Sequence, residues 1–311
     1  MKTRPNVEDC YEFFHLYWER CMGEDASDFT EGLYDGRGSD SKTLEAAQRD
    51  QRAYLLDQAQ VREGTRILEV GCGLGSLLED IRERGADGIG LTPSPPQAQR
   101  CADKGLVVRN IPWQAAGSEF EGKFDAVIVN GSLEHFVSRE EAERGEQEAI
   151  YRRFFDRCAA WLDRSSSVKR TVLAFISFNR IPDPRVVAKP TRELPHLSDD
   201  FHYRLIERLY RGWYPQGKEQ LLRCASERFE LLDIREATRD YYLTSLEWSR
   251  RARKKSLLAL PRALPGLVRW WRSDPDFPDL VRSFYYGSWS WQFTGDDPPC
   301  SLNRATFQLR A

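Results

Sequence analysis

The chain has no stretch of about eighteen consecutive apolar residues, so no segment reads as a membrane-spanning helix. It has no net basic charge either: the balance is −2, and no general electrostatic field draws nucleic acid to it. Its seven cysteines, at positions 10, 21, 72, 101, 158, 224 and 300, are odd in number and never spaced C-x-x-C, which excludes a zinc ribbon and argues against a disulfide frame. His15, His135, His196 and His202 are too dispersed for a metal-ligand set, and no metal is expected. A basic-then-apolar leader, an internal repeat and a low-complexity tract are also missing, so the expectation is a soluble, cytoplasmic, globular protein.

What is present is aromatic. Aromatic residues make up 12% of the chain, nine of them tryptophan, and this surplus supplies either a packed core or the walls of a deep apolar pocket. The 311 residues suffice for one large α/β domain with insertions or for two small domains. Between residues 66 and 177, apolar strand-length runs alternate with helical patterns, which argues a parallel sheet covered on both faces. Strands are expected at 66–70, 88–92, 106–109, 124–130 and 169–177, with later ones at 229–235 and 303–310. Helices are expected at 8–24, at 41–60 behind a serine cap, at 77–84, 97–104, 138–162 and 219–226, and from 239 onward.

The first strand, Arg66-Ile67-Leu68-Glu69-Val70, breaks into Gly71-Cys72-Gly73-Leu74-Gly75 and then into a helical pattern. Glycines at a strand-to-helix crossover let a ligand lie on the main chain, and Glu69 at the strand's end suits a cationic group on that ligand. This E-V-G-C-G-x-G run resembles the first motif of the class I S-adenosylmethionine-dependent methyltransferases. Further stretches narrow the resemblance. Gly90-Leu91-Thr92-Pro93-Ser94-Pro95-Pro96-Gln97 is similar to the G-[ILV]-T-x-S-x-x-Q stretch of cyclopropane-fatty-acid synthases and mycolic-acid methyltransferases. Ser132-Leu133-Glu134-His135-Phe136 looks like their F-E-H-V segment, and Asp240-Tyr241 with Thr244 and Trp248 looks like the helix over their substrate tunnel. The early loop Phe29-Thr30-Glu31-Gly32-Leu33-Tyr34 is similar to their Y-S-C-A-Y-[FW] loop.

The resemblance implies a Rossmann-like, seven-stranded, mostly parallel sheet with helices on both faces. It further implies an N-terminal helical cover and cofactor-closing loop over residues 1–60, then a methyltransferase core over 61–311 with helical lid insertions around 180–215 and 240–290. It implies S-adenosylmethionine as methyl donor, with contacts from Phe29, Thr30, Glu69, Gly71, Gly73, Gly75, Thr92, Gln97 and Trp113, the last against the adenine face. It places Glu31, Glu134 and Tyr241 in the catalytic pocket. His135 reads more readily as a hydrogen-bonded structural histidine than as a catalytic group.

The chain departs from the family at the site where a bicarbonate ion takes up the proton after methyl transfer. Glu31 stands where the family has its loop cysteine, and Phe175 where it has a histidine. A carboxylate there repels bicarbonate by on the order of a few kcal/mol in a water-shielded pocket. Glu31 is then either a protein-borne base or an N–H acceptor that holds its loop. With an alkene acceptor, Tyr241, Trp213 or Tyr242 would face a carbocation and Glu31 or Glu134 would remove a proton. With an amine, hydroxyl or activated ring carbon, the same carboxylates serve as a general base. The expected activity is methyl transfer to a carbon of a hydrophobic or amphiphilic lipid or natural-product acceptor. Two alternatives stay open: a cyclopropane-forming fatty-acyl synthase, and a catalytically silent cofactor-binding protein. The basic block at 250–255, followed by Leu257, Leu258, Leu260, Trp270 and Trp271, reads either as a solvated helix end or as a transient membrane-surface contact.

Overall fold

The computed structural model describes residues 29–34, 42–251, 253, 268, 272 and 286–311. The helix expected at 8–24, most of the basic and apolar block at 250–271 and most of the second lid insertion lie outside these residues, as do Cys10, Cys21 and Ser41.

Seven strands form one sheet in the order β3-β2-β1-β4-β5-β7-β6. They are β1 (Arg66–Val70), β2 (Asp87–Leu91), β3 (Val107–Arg109), β4 (Ala126–Asn130), β5 (Arg170–Phe178), β6 (Phe229–Glu236) and β7 (Cys300–Leu309). The pairs β1/β2, β2/β3, β1/β4 and β4/β5 are parallel, whereas β7 runs antiparallel between β5 and β6. All five side chains of β4 are buried, as expected of a central strand with helices on both faces. The order reverses between β1 and β4, and open α/β sheets bind ligands in the crevice beyond the strand ends at such a switch point.

The helices follow the apolar pattern with two departures. The first, α1 (Leu44–Gln58), is capped by Thr43, whose hydroxyl accepts from the Ala46 amide, rather than by a serine. The expected 138–162 helix is two helices, α4 (Arg139–Glu143) and α5 (Gln147–Trp161), separated by a turn at Gly145. Ser138 and Glu141 close α4 with a reciprocal capping box. The proline-broken stretch after β5 holds the short α6 (Pro184–Val187), and the aromatic stretch beyond it is α7 (Asp199–Tyr210). Between α1 and α4 in chain order lie α2 (Ser76–Glu83) and α3 (Pro95–Asp103); α8 (Lys218–Ala225), α9 (residues 238–251) and α10 (Ser288–Trp291) follow α7.

The sheet separates two apolar layers. One, under α1, α2 and α3, is aliphatic, built on residues such as Leu55, Ile67, Ile81 and Ile128. The other is aromatic and includes Phe154, Phe155, Phe175, Trp161, Trp213 and Tyr214. Most of the aromatic surplus is therefore spent on packing. Cys72, Cys101, Cys158, Cys224 and Cys300 are buried free thiols. Among the described residues no helix is long and apolar enough to cross a membrane, and no cluster of three metal-ligating side chains occurs.

Candidate functional site

A cavity of about 520 Å³ opens at the C-terminal ends of β1, β2 and β4. Its floor is the glycine loop after β1. The Gly71 and Cys72 amides both donate to the Leu91 carbonyl at the end of β2 (2.8 and 3.0 Å), which pins the loop across two strands. Gly73 has φ of +51°, and a Cβ built there meets nothing within 4 Å, so its backbone face stays open to a ligand. Phe29 and Thr30 line the cavity from the N-terminal loop, and Glu69, Gly71, Gly73, Thr92, Gln97 and Trp113 line it from the sheet side.

Gly75 does not line it. With φ of +84° it is the turn into α2, and a Cβ there would lie 2.5 Å from Leu106 Cδ1 and 3.0 Å from Cys101 Sγ. Its side faces the aliphatic layer, so the third glycine of the motif shapes the turn and the packing, not the ligand wall.

The polar groups of the cavity are preorganised. The Thr92 hydroxyl donates to Gln97 Oε1 (2.7 Å), and the Asn110 amide donates to the Thr92 carbonyl (2.9 Å). Trp113 is held by Phe154 and Phe136, with ring centroids 5.3 and 5.4 Å away. Its indole Nε1 and the Asn130 Oδ1 are buried without a hydrogen-bond partner among the described residues. Buried donors and acceptors left in this state fit a ligand with polar edges as well as a flat apolar part. An adenosine with an amino-acid arm has both, and the acidic Glu69 suits its ammonium, so the cavity fits S-adenosylmethionine. Sequence reasoning missed Arg52, Asn130 and Ser132 in this lining. Asn130 is the last residue of an otherwise apolar strand, and that polarity at a strand's C-terminal end was the available signal.

None of the three candidate catalytic residues lines this cavity; Glu31, Glu134 and Tyr241 are buried and close enough to one another to interact electrostatically. Glu134 is buried: its Oε1 accepts the Ile176 amide (2.7 Å), and its Oε2 has no partner among the described residues. Burial first, then the nearby charge of Glu31, pushes its carboxyl up to about 7, against the two backbone amides that stabilise the anion. Glu31 is equally buried and accepts the Gln51 side-chain amide at 2.7 Å. Tyr241, on α9, stacks on Phe293 with centroids 4.5 Å apart and meets the Tyr210 hydroxyl at 3.2 Å. Burial and the charges of Glu31 and Glu134 raise the Tyr241 phenol well above its ordinary value, so it remains a neutral hydroxyl. Trp213 packs against Phe178 at 5.2 Å and Trp248 against Tyr241 at 5.8 Å. Tyr242 is half-buried beside the same aromatic layer, and Phe175 is fully buried in β5.

His135, unlike its neighbour Glu134, lines the cavity. Its Nδ1 lies 2.6 Å from the Tyr210 carbonyl, and burial pushes the ring down to about 4. A neutral ring facing a carbonyl carries its proton on Nδ1 and leaves Nε2 as an acceptor. The histidine thus ties α7 to the segment after β4, in keeping with its structural reading.

The family described as mycolic acid cyclopropane synthetase matches residues 6–259. Cyclopropane mycolic acid synthase 2 of Mycobacterium bovis is 28% identical over 146 residues, 43% of this chain and 44% of its own length, so the chain's match spans less than half of that curated relative. The solved structure of the cyclopropane synthase MmaA2 from Mycobacterium tuberculosis superposes with a TM-score of 0.70 at 17% identity over the whole of both chains. That of mycolic acid cyclopropane synthase CmaA1 complexed with SAH and CTAB gives 0.68 at 17% identity, covering 99% of this chain and 100% of that one. At these identities the structural likeness speaks for the fold. The family match takes in well over half of the sequence, and the protein belongs to the mycolic acid cyclopropane synthetase family.

Proposed function

We propose that the protein is an S-adenosylmethionine-dependent methyltransferase that methylates a carbon of a hydrophobic or amphiphilic acceptor, with a buried glutamate taking up the released proton. One observation carries this reading: the same two segments line the cofactor cavity and, at adjacent positions, bury the two glutamates. Phe29 and Thr30 line the cofactor cavity and Glu31 is buried beyond it; His135 and Phe136 line that cavity and Glu134 is buried beyond it. A methyl donor in the cavity and a buried proton acceptor are then served by adjacent residues of the same segments.

The cofactor, when bound, supplies an electrophilic methyl group. The chain's residues align the acceptor with it and exclude water, which are the main requirements of an in-line displacement. The aromatic faces of Tyr241 and its neighbours stabilise positive charge left on a methylated alkene. Glu134, near its half-ionised point at neutral pH, then accepts a proton as the C–H electron pair stays on carbon. No mobile bicarbonate is needed, because Glu31 occupies the place of the family's loop cysteine as a fixed carboxylate.

The test is mass spectrometry of a panel of phospholipids and hydrophobic metabolites incubated with methyl-deuterated S-adenosylmethionine, with Glu134→Gln and Glu31→Gln beside the wild type. A gain of three deuteriums marks net methyl transfer, and a gain of two marks loss of a hydron from the new methyl, as in ring closure. Both glutamine variants are expected to bind the cofactor and lose product. Unchanged turnover in Glu134→Gln would remove it from the reaction.

A further inference from the structure

Arg304 sits in the middle of β7 with no exposed surface, among the largest fully buried side chains of the molecule. Its guanidinium is satisfied from three directions: Nε donates to Gln51 Oε1 (2.5 Å), Nη1 to Asp240 Oδ2 (2.7 Å) and Nη2 to the Gly32 carbonyl (3.1 Å). Arginine has only donors, so the Gln51 carbonyl oxygen is committed to it and the amide nitrogen must point the other way. That nitrogen donates to Glu31 Oε1 at 2.7 Å. The orientation of one amide, ordinarily an arbitrary choice, is here set by a buried cation on one side and a carboxylate on the other.

Charge counting gives this relay a consequence. Arg304 balances Asp240, and Glu31 and Glu134 are two further buried carboxylates close enough to feel one another's charge. Among the described residues, the groups that face Glu134 electrically are Glu31 and the phenols of Tyr151, Tyr210, Tyr214 and Tyr241, none of them cationic. Two like charges so placed are not both comfortable, and the one with the better donors keeps its charge. Glu31 has the relay amide, whereas Glu134 Oε2 has no donor among the described residues.

We infer that Arg304 is a positioning residue for the reaction: through the Gln51 amide it holds Glu31 as a fixed anion, and this anion makes Glu134 the carboxylate that takes the proton. The inference rests on the methyl-transfer reading for its purpose but not for its test. The Glu31 carboxylate stays unprotonated and aligned throughout; the proton lost from the methylated acceptor forms the O–H bond on Glu134.

The experiment is a pH titration, from 5 to 9, of protein carrying carbon-13 in its glutamate carboxyl groups, with no acceptor or cofactor added. Signals are assigned with Glu31→Gln and Glu134→Gln. In the wild type, Glu134 is expected to titrate near neutrality while Glu31 keeps the shift of an ionised carboxylate across the range. In Gln51→Met, which fills the same space without the amide, the Glu31 midpoint should rise into the range. The Glu134 midpoint should fall by half a unit or more, because a neutral neighbour no longer repels it. A merely structural relay would not move the two in opposite directions. Arg304→Lys keeps a cation for Asp240 while loosening Gln51, and should show the same pair of shifts in smaller measure; it carries the test if Gln51→Met does not fold. Titrations superimposable on wild type in a folded variant would overturn the inference, whether or not methyl transfer is ever observed.

Discussion

The carboxyl of Glu134 is held near 7 by burial although an unfolded chain would release its proton near 4.5. Such a group is protonated in both states below the lower value, so its cost to folding is absent there. As pH rises, the unfolded chain ionises first, and folding must retain a proton that the unfolded chain has released. Stability therefore falls between about 4.5 and 7 and levels off above, by roughly 3 kcal/mol for a shift of this size. Glu134→Gln cannot ionise, and its carbonyl can still accept the Ile176 amide. Urea denaturation at pH 4.5 and pH 8 should show this loss in the wild type and much less of it in the variant. Taking the difference of differences cancels the fixed cost of burying the new amide. Equal pH dependence in both proteins would mean that Glu134 ionises freely in the fold.

The glycine motif that organised the sequence reading divides into two jobs once its loop is built. Gly73 presents open space toward the cofactor cavity, so Gly73→Ala places a methyl group against the ligand and adds the strain of a left-handed backbone at an alanine. Cofactor affinity, read by calorimetry, should fall at least tenfold, with a loss of stability of about 1 kcal/mol. Gly75→Ala drives a Cβ into Leu106 and Cys101 under α2, and is expected to destabilise by about 2–4 kcal/mol while the folded fraction still binds the cofactor. A weakened cofactor with unchanged stability in Gly75→Ala would return that residue to the ligand wall. The motif's spacing was legible because strand, turn and helix follow one another directly in sequence. The direction in which each glycine faces was not, since it depends on Leu106 and Ser132, which arrive from other elements. The same limit applies to α1. Its stripe of Leu44, Ala47, Gln48, Gln51 and Leu55 has helical spacing, but two members are glutamines, and a pattern that counts only apolar residues passes over them. Buried polar residues on the apolar face of a helix were the available signal for the Glu31 relay.

Across the whole molecule, the parallel sheet could be read from alternating local patterns and its seven strands from the family resemblance, whereas the junction that joins the N-terminal loop to β7 could not. Arg304 reaches Gly32, Gln51 and Asp240 across 272, 253 and 64 positions of sequence. It thereby fastens the N-terminal loop, α1 and α9 to the strand that completes the sheet. The loop is held further by Thr244, whose hydroxyl accepts the Gly32 amide (2.9 Å), and by Asp240, which accepts the Tyr34 amide (3.1 Å). A guanidinium and a carboxylate this deeply buried stabilise little as a pair, but removing one leaves the other uncompensated. Arg304→Met should therefore destabilise the protein by about 3–5 kcal/mol, strand the Asp240 charge and loosen the loop that covers the cofactor. Adding Asp240→Asn removes the stranded charge and keeps an acceptor for the Tyr34 amide. The double variant should accordingly be more stable than Arg304→Met alone, measured by denaturant unfolding as a double-mutant cycle. Stability that returns without the cofactor affinity would separate the two roles of the junction: charge balance restored, loop still unfastened from β7. If the two substitutions add, Arg304 and Asp240 act independently, and the junction is packing rather than a coupled network.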